Sequence, residues 1–309
     1  VERLHIEEPE PPAPVTEPEK TFEEVLDEHP VSIQVNGQWQ TFPNAKAAEE
    51  ASYEEYKANL RRNAKNFRIT DEHLGEGGPK AKFQANVNAI RLLKELEAAG
   101  QQASPEQQEV LSRYVGWGGL SDAFDPEKPA WALEYAQLKE LLTPEEYAAA
   151  RSSTLNAHYT SPTVIQAIYE AVDRMGFETG NILEPSMGVG NFFGMLPEEM
   201  RNSHLYGVEL DPVSGRIAKQ LYPKADITVG GFETTDRRDF FDLAIGNVPF
   251  GQYQVNDKVY NKLNFSIHNY FFAKALDQVR PGGVVAFVTS RYTMDAKDST
   301  VRRYLAQRA

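Results

Sequence analysis

Asn181-Ile-Leu-Glu-Pro-Ser-Met-Gly-Val-Gly190 is the stretch on which the reading of this chain turns. An apolar run stops abruptly at an acid, a proline and two spaced glycines. Leu205-Tyr-Gly-Val-Glu209 and Asp242-Leu-Ala-Ile-Gly-Asn-Val-Pro-Phe250 repeat the design, each a short apolar run that ends on small or polar residues. Buried parallel strands read this way, because both faces are covered and the loops at their carboxyl ends carry the function. Working outward, further apolar runs fall near 225–230 and over 284–289, with helical patterns between them. The expectation is an α/β fold, a Rossmann-like doubly wound sheet of five parallel strands at 181–185, 204–209, 225–230, 242–246 and 284–289.

Three of those strand ends carry chemistry. Gly188 and Gly190 permit backbone angles and close approach that a side chain forbids, and the N–H groups of such a turn suit the polar end of a cofactor. Glu209 lies 21 positions after Gly188 and ends the second strand, where an acid can hold both hydroxyls of a ribose. A plain strand-to-helix turn would look similar, and the spacing by itself fits either NAD or S-adenosylmethionine. Asn247-Val248-Pro249-Phe250 separates the two. An exocyclic amine is planar because its lone pair is delocalised into the ring. A side-chain amide oxygen and a backbone carbonyl can accept its two hydrogens and favour the pyramidal, nucleophilic nitrogen. Proline fixes the turn that aims the carbonyl, and Phe250 can stack on a flipped base.

Upstream, residues 1–30 are rich in proline and acid and read as an extended linker. Over 31–66 a hairpin is expected around Asn36-Gly37, followed by a polar helix. The Gly75, Gly77, Gly78 cluster lacks the Gly-Lys-Ser/Thr ending of a phosphate loop and reads as a connector. Residues 67–150 read as a helical module, with three helices over 81–150. Phe83, Val87, Ile90, Leu93 and Leu96 mark a buried face, and Ser104-Pro-Glu-Gln107 and Thr143-Pro-Glu-Glu146 read as capping boxes. Trp117, set among glycines, is expected to be a structural wedge; a nucleic-acid stacking platform is the alternative. A helix capped by Ser161 and ended by Gly176 then leads into the strand–helix core, which is assigned to 151–309.

The formal net charge is −13. Residues 1–60 hold 14 acids against 4 bases, whereas residues 251–309 hold 9 bases against 4 acids, so the acidity belongs to the leader. No apolar run approaches the ~20 residues needed to span a bilayer. The absence of cysteine excludes a thiol nucleophile or a disulfide scaffold and fits a cytoplasmic protein. The six histidines are scattered without ligand spacing, so no metal site is expected. The chain opens on Val1 and is expected to be a piece of a longer protein.

The order Tyr159-Thr-Ser-Pro162, Glu184-Pro-x-x-Gly-x-Gly190, Gly207-Val-Glu-x-Asp-Pro212 and Asn247-x-Pro-Phe250 resembles the amino-group DNA methyltransferases of the gamma arrangement. These make N6-methyladenine from S-adenosylmethionine. More narrowly, residues 66–80, 111–120 and 155–193 resemble the methyltransferase segment of very large mobile-element proteins, where it precedes a Swi/Snf-like helicase. The resemblance implies a class I methyltransferase fold without its last two strands, S-adenosylmethionine as cofactor, adenine-containing DNA as substrate, and a helicase domain on the C-terminal side. It implies that Tyr159 and Thr160 lie near the methionine end of the cofactor and that Glu184, Gly188 and Gly190 cradle it. Glu209 would hold the ribose and Phe232 would line the adenine. Asn247, Pro249 and Phe250 would hold and activate the target base. Two positions depart from the family. Val248 replaces a proline, and Gly231 stands where an aspartate takes the cofactor adenine's amino group, so that contact is lost or replaced. His268 is expected on a helix surface. The alternatives are a methyltransferase acting on RNA or protein glutamine, and a non-catalytic cofactor- or DNA-binding module serving a helicase.

Overall fold

The structure, a computed structural model, describes residues 29–71, 73–155 and 160–309. Most of the expected linker, and Tyr159, lie outside the described residues. The chain divides into two compact units that meet in sequence at Asn59 and Leu60.

In the first unit, β1 (Val31–Val35) pairs antiparallel with β2 (Gln38–Phe42), with Val35 opposite Gln38. Asn36 and Gly37 both take positive φ, 51° and 75°, as the two-residue turn of a twisted hairpin demands. Helix α1 (Ala45–Asn63) follows, and its Glu55 accepts the Asn36 N–H at 2.6 Å.

The second unit takes in the last turn of α1 from Leu60 and continues with α2 (Pro79–Ala98) and α3 (Pro105–Ser112). Residues 81–150 hold four helices rather than the three expected. Pro126 and Pro129 supply no N–H to a continuing ladder, so that stretch runs through two short 3-10 turns before α4 (Ala132–Leu141) and α5 (Pro144–Ser153). Both capping boxes form, at Ser104 and at Thr143. Trp117 is 1% exposed and meets Phe83, Tyr114 and Phe124 edge-on, so it is core and offers no face to a nucleic-acid base. The buried Asn86 of α2 fixes the turn around it, accepting the Val115 N–H at 2.9 Å and donating to the Gly116 carbonyl at 2.6 Å. Helix α6 (Pro162–Arg174) starts at Ser161, whose hydroxyl makes no capping bond; Pro162 at the first helical position presets the turn instead.

From there strands and helices alternate: β3 (Asn181–Glu184), the one-turn α7 (Asn191–Gly194), β4 (His204–Glu209), α8 (Pro212–Leu221), β5 (Asp226–Val229), β6 (Phe241–Asn247), α9 (Ile267–Gln278) and β7 (Val279–Val288). The short α10 (Tyr292–Asp295) and α11 (Thr300–Ala306) complete the described chain. The five strands are all parallel in the order β5-β4-β3-β6-β7. This is a Rossmann-like doubly wound α/β sheet, with five strands among the described residues. Alternate residues feed opposite faces. Ile182, Leu243 and Ile245 join one apolar cluster, and Leu183 and Ala244 join the other. The first cluster runs without a break into α2, α3 and the Trp117 turn, so the helical residues and the sheet share one core. Glu146 of α5 adds a polar tie, pairing with Lys94 of α2 at 2.9 Å and Arg216 of α8 at 2.8 Å. Among the described residues no helix is long and apolar enough to cross a membrane.

Candidate active site

Strand order reverses between β3 and β6, so the loops after these two strands part there and leave a crevice at the carboxyl edge of the sheet. A cavity of about 620 Å³ fills it. The ends of β3, β4, β5 and β6 all open into this cavity, through Glu184 and Gly188, Glu209, Phe232, and Asn247 with Pro249 and Phe250 respectively. Thr160, ahead of α6, lines it as well.

Gly190 does not. Its φ of 85° is left-handed, and a Cβ there would meet the Tyr222 ring and the Met187 methyl group, so this glycine serves packing behind the turn. Gly188, at φ 56°, has nothing within 4 Å of where its Cβ would stand, and its open face belongs to the cavity. The two glycines of one motif thus have different duties.

Two acids meet at the turn. Glu209 accepts the Gly188 N–H at 2.6 Å and the Asp211 N–H at 2.7 Å. Burial nonetheless pushes its carboxyl up to about 7, those N–H groups offsetting only part of the desolvation. Glu184 is 2% exposed, and its Oε2 has no hydrogen-bond partner. Burial, and then the charge of Glu209, hold its carboxyl well above the ordinary carboxylate range. A buried acid of this kind is costly unless something donates to it.

Asn247 is the last residue of β6, half-buried beside the end of β7. Val248 turns inward into the second apolar cluster at 1% exposure, and its N–H donates to the Val288 carbonyl at 3.1 Å. A proline there could not make that bond, which extends the β6–β7 ladder by one rung. The valine at 248 therefore adds a hydrogen bond at the strand edge, and it lines the cavity together with Pro249 and Phe250.

Phe232 is held from behind. Its ring centroid lies 5.0 Å from that of Phe271 and 6.2 Å from that of Tyr270, and Lys274 Nζ sits 5.2 Å from its centre. Lys274 is buried and donates to Asp257 at 2.8 Å; the Tyr270 hydroxyl donates to the same oxygen at 2.9 Å. Burial alone would raise the Asp257 carboxyl, but these two donors hold it below its ordinary value. Asp257 belongs to the loop that follows Phe250, so this buried trio fastens that loop to α9.

His268 is not on a surface. It is 3% exposed, its ring reaches the Ser266 hydroxyl, and burial lowers its pKa. The reason is that α9 is covered on nearly every side, which its sequence periodicity did not reveal.

Several lining residues lie outside the motifs. Tyr114, Gly116 and Ser153 come from the helical residues, Glu233 from the 3-10 turn Phe232–Thr234 and Tyr253 from a loop. Burial and the neighbouring Asp211 push the Tyr114 phenol well above its ordinary value. The glycine-bracketed run Val115-Gly-Trp-Gly-Gly119 was a signal for the Tyr114 turn; nothing in the sequence marks Ser153.

No family model matches the chain. The chain is similar to the "Defense against restriction protein B" of Escherichia phage P1, 27% identical over 220 residues, which are 69% of this chain and 8% of that protein. It is also similar to the Type II methyltransferase M.CvrRI of Paramecium bursaria Chlorella virus XZ-6E, 43% identical over 74 residues, which are 24% of this chain and 19% of that one. The chain thus spans under a tenth of the first relative and about a fifth of the second. Among solved structures, a class I S-adenosylmethionine-dependent methyltransferase of Listeria monocytogenes aligns at a TM-score of 0.42 and 17% identity, over 74% of this chain and 79% of that one.

Proposed function

We propose that this chain is an S-adenosylmethionine-dependent methyltransferase core that methylates the exocyclic amine of adenine in DNA. The observation that carries the reading is the single cavity shared by Asn247-Val-Pro-Phe250 and the Gly188–Glu209 pair. The kinship in sequence with a viral Type II methyltransferase supports methyl transfer. The phage relative, named for defence against restriction, supports DNA as the partner.

The donor groups fit such a cofactor. The unfilled face of Gly188 leaves room for close approach, Glu209 can accept from ribose hydroxyls, and Phe232 offers an apolar wall to a purine. The unpartnered Oε2 of Glu184 can accept from a cationic amine. A cavity of this volume lies within the usual ~300–1,000 Å³ range for small-molecule sites. When bound, the cofactor supplies a methyl carbon made electrophilic by its sulfonium.

The chain's own part is positioning and polarisation. The Asn247 carboxamide oxygen and the Val248 carbonyl accept the two hydrogens of the target amine, drawing its lone pair out of the ring. Pro249 fixes the direction of that carbonyl, and Phe250 stacks on the extruded base. No covalent nucleophile is called for, and holding the amine at attack distance supplies much of the rate. On the same reading a Swi/Snf-like helicase is the expected partner.

The test is transfer of labelled methyl groups to duplex DNA, single-stranded DNA, RNA and protein, followed by nucleoside mass analysis. N6-methyladenine from DNA is the expected product. Label confined to RNA or to protein glutamine would replace the substrate assignment. Cofactor binding without turnover on any of them would favour the non-catalytic module.

A further inference from the structure

Resting on the cofactor reading above, we infer that Glu233 is the residue by which this site reads the amino group of the cofactor's purine. Beyond β5 the chain runs Gly230-Gly-Phe-Glu-Thr234 along the cavity rim. A Cβ built on Gly231 would fall inside the Glu233 carboxylate; both of its oxygens and its carbon crowd that point. The side chain two residues on has taken the volume that a side chain at 231 would fill. Gly231 itself has ordinary extended backbone, φ −74° and ψ 151°, so no backbone demand explains the glycine.

The turn that presents Glu233 is firmly held. The Thr234 N–H and hydroxyl both donate to the Gly231 carbonyl, at 3.0 and 2.7 Å, and the Thr235 hydroxyl donates to Phe232 at 2.8 Å. Phe232 between them is 3% exposed and braced by Phe271 and Tyr270. Gly230, whose N–H donates to the Glu209 carbonyl at 2.8 Å, joins this rim to the ribose-side acid on the neighbouring strand. A purine lying against Phe232 with its sugar toward Glu209 therefore has its far edge at the rim that carries Glu233. A carboxylate accepts hydrogen bonds and donates none when ionised. It rewards an exocyclic amine at that edge and penalises a carbonyl oxygen.

Calorimetric affinities for S-adenosylhomocysteine and its 6-oxo analogue, S-inosylhomocysteine, test this without relying on turnover. The wild-type protein should prefer the amino form by roughly tenfold or more, the scale of one charge-assisted hydrogen bond. E233A should lose most of that preference, chiefly through weaker binding of the amino form. The double variant G231D/E233A, which moves the acid back into the vacated space, should restore it. An E233A protein that discriminates as sharply as wild type would overturn the assignment to Glu233 while leaving the cofactor reading standing. Failure of the wild-type protein to bind either compound would overturn the cofactor reading, and this inference with it.

Discussion

The Glu209 carboxylate takes the Gly188 N–H at 2.6 Å, so the acid at the tip of β4 fastens the glycine turn that follows β3. The same carboxylate holds the Asp211 N–H ahead of α8. One side chain thus sets the geometry of two neighbouring loops, and its ionisation state is coupled to both.

That coupling gives a pH dependence with a definite sign. Glu209 sits near 7 in the folded protein against an ordinary value of 4.5. The folded state favours the protonated form, so this contribution to stability is fully present below about 4.5 and is lost as pH rises through about 7. Glu209's share of that loss should be roughly 1.4 kcal/mol per pH unit at steepest. Chemical denaturation at pH 5, 6, 7 and 8 should show a slope that is shallower in Glu209→Gln than in wild type, the buried Glu184 carboxyl supplying the remainder.

The paired glycines should respond differently. Gly190→Ala combines a left-handed backbone with a clash against Tyr222 and Met187 and should cost on the order of 2–4 kcal/mol of stability. Gly188→Ala meets open space and should cost nearer ~1 kcal/mol, with the larger effect on cofactor affinity. Denaturation and calorimetry on both variants separate the two roles; equal stability losses would refute the division.

On the proposed mechanism, Asn247→Ala should lower methyl transfer by about 10²–10³-fold, the scale for removing one polarising group at the reacting centre. Cofactor affinity should change less than threefold. Parallel loss of both would place Asn247 in the cofactor cradle instead.

Asp257 and Lys274 form a buried pair, with side chains 7% and 5% exposed. Asp257→Ala should cost roughly 3–5 kcal/mol, because it leaves the lysine charge buried without its partner. Adding Lys274→Met should recover most of that loss. A double variant no better than the single one would show that the pair acts mainly by holding the loop after Phe250, through the Tyr270 hydroxyl.

The sheet and its loops were legible because buried parallel strands leave near-continuous apolar runs that end at functional residues. Four of the five strand positions therefore followed from composition along the chain, whereas β7 begins at Val279, five residues before its expected start, through a Pro-Gly-Gly stretch that does not read as a strand. The hairpin at Asn36-Gly37 and the boxes at Ser104 and Thr143 were equally plain, each being settled by contacts within a few residues. What periodicity could not reveal was which surfaces distant segments would cover. Only packing against Tyr222, 32 positions away, makes Gly190 a structural glycine. His268 is buried because α9 is enclosed on almost all sides. Tyr114 and Ser153 reach the cavity because α2, α3 and α5 share the core of the sheet. Local spacing fixes where a chain turns and what it can offer there. The partner each group meets is decided by contacts between residues far apart in sequence, and those exist only in the folded chain.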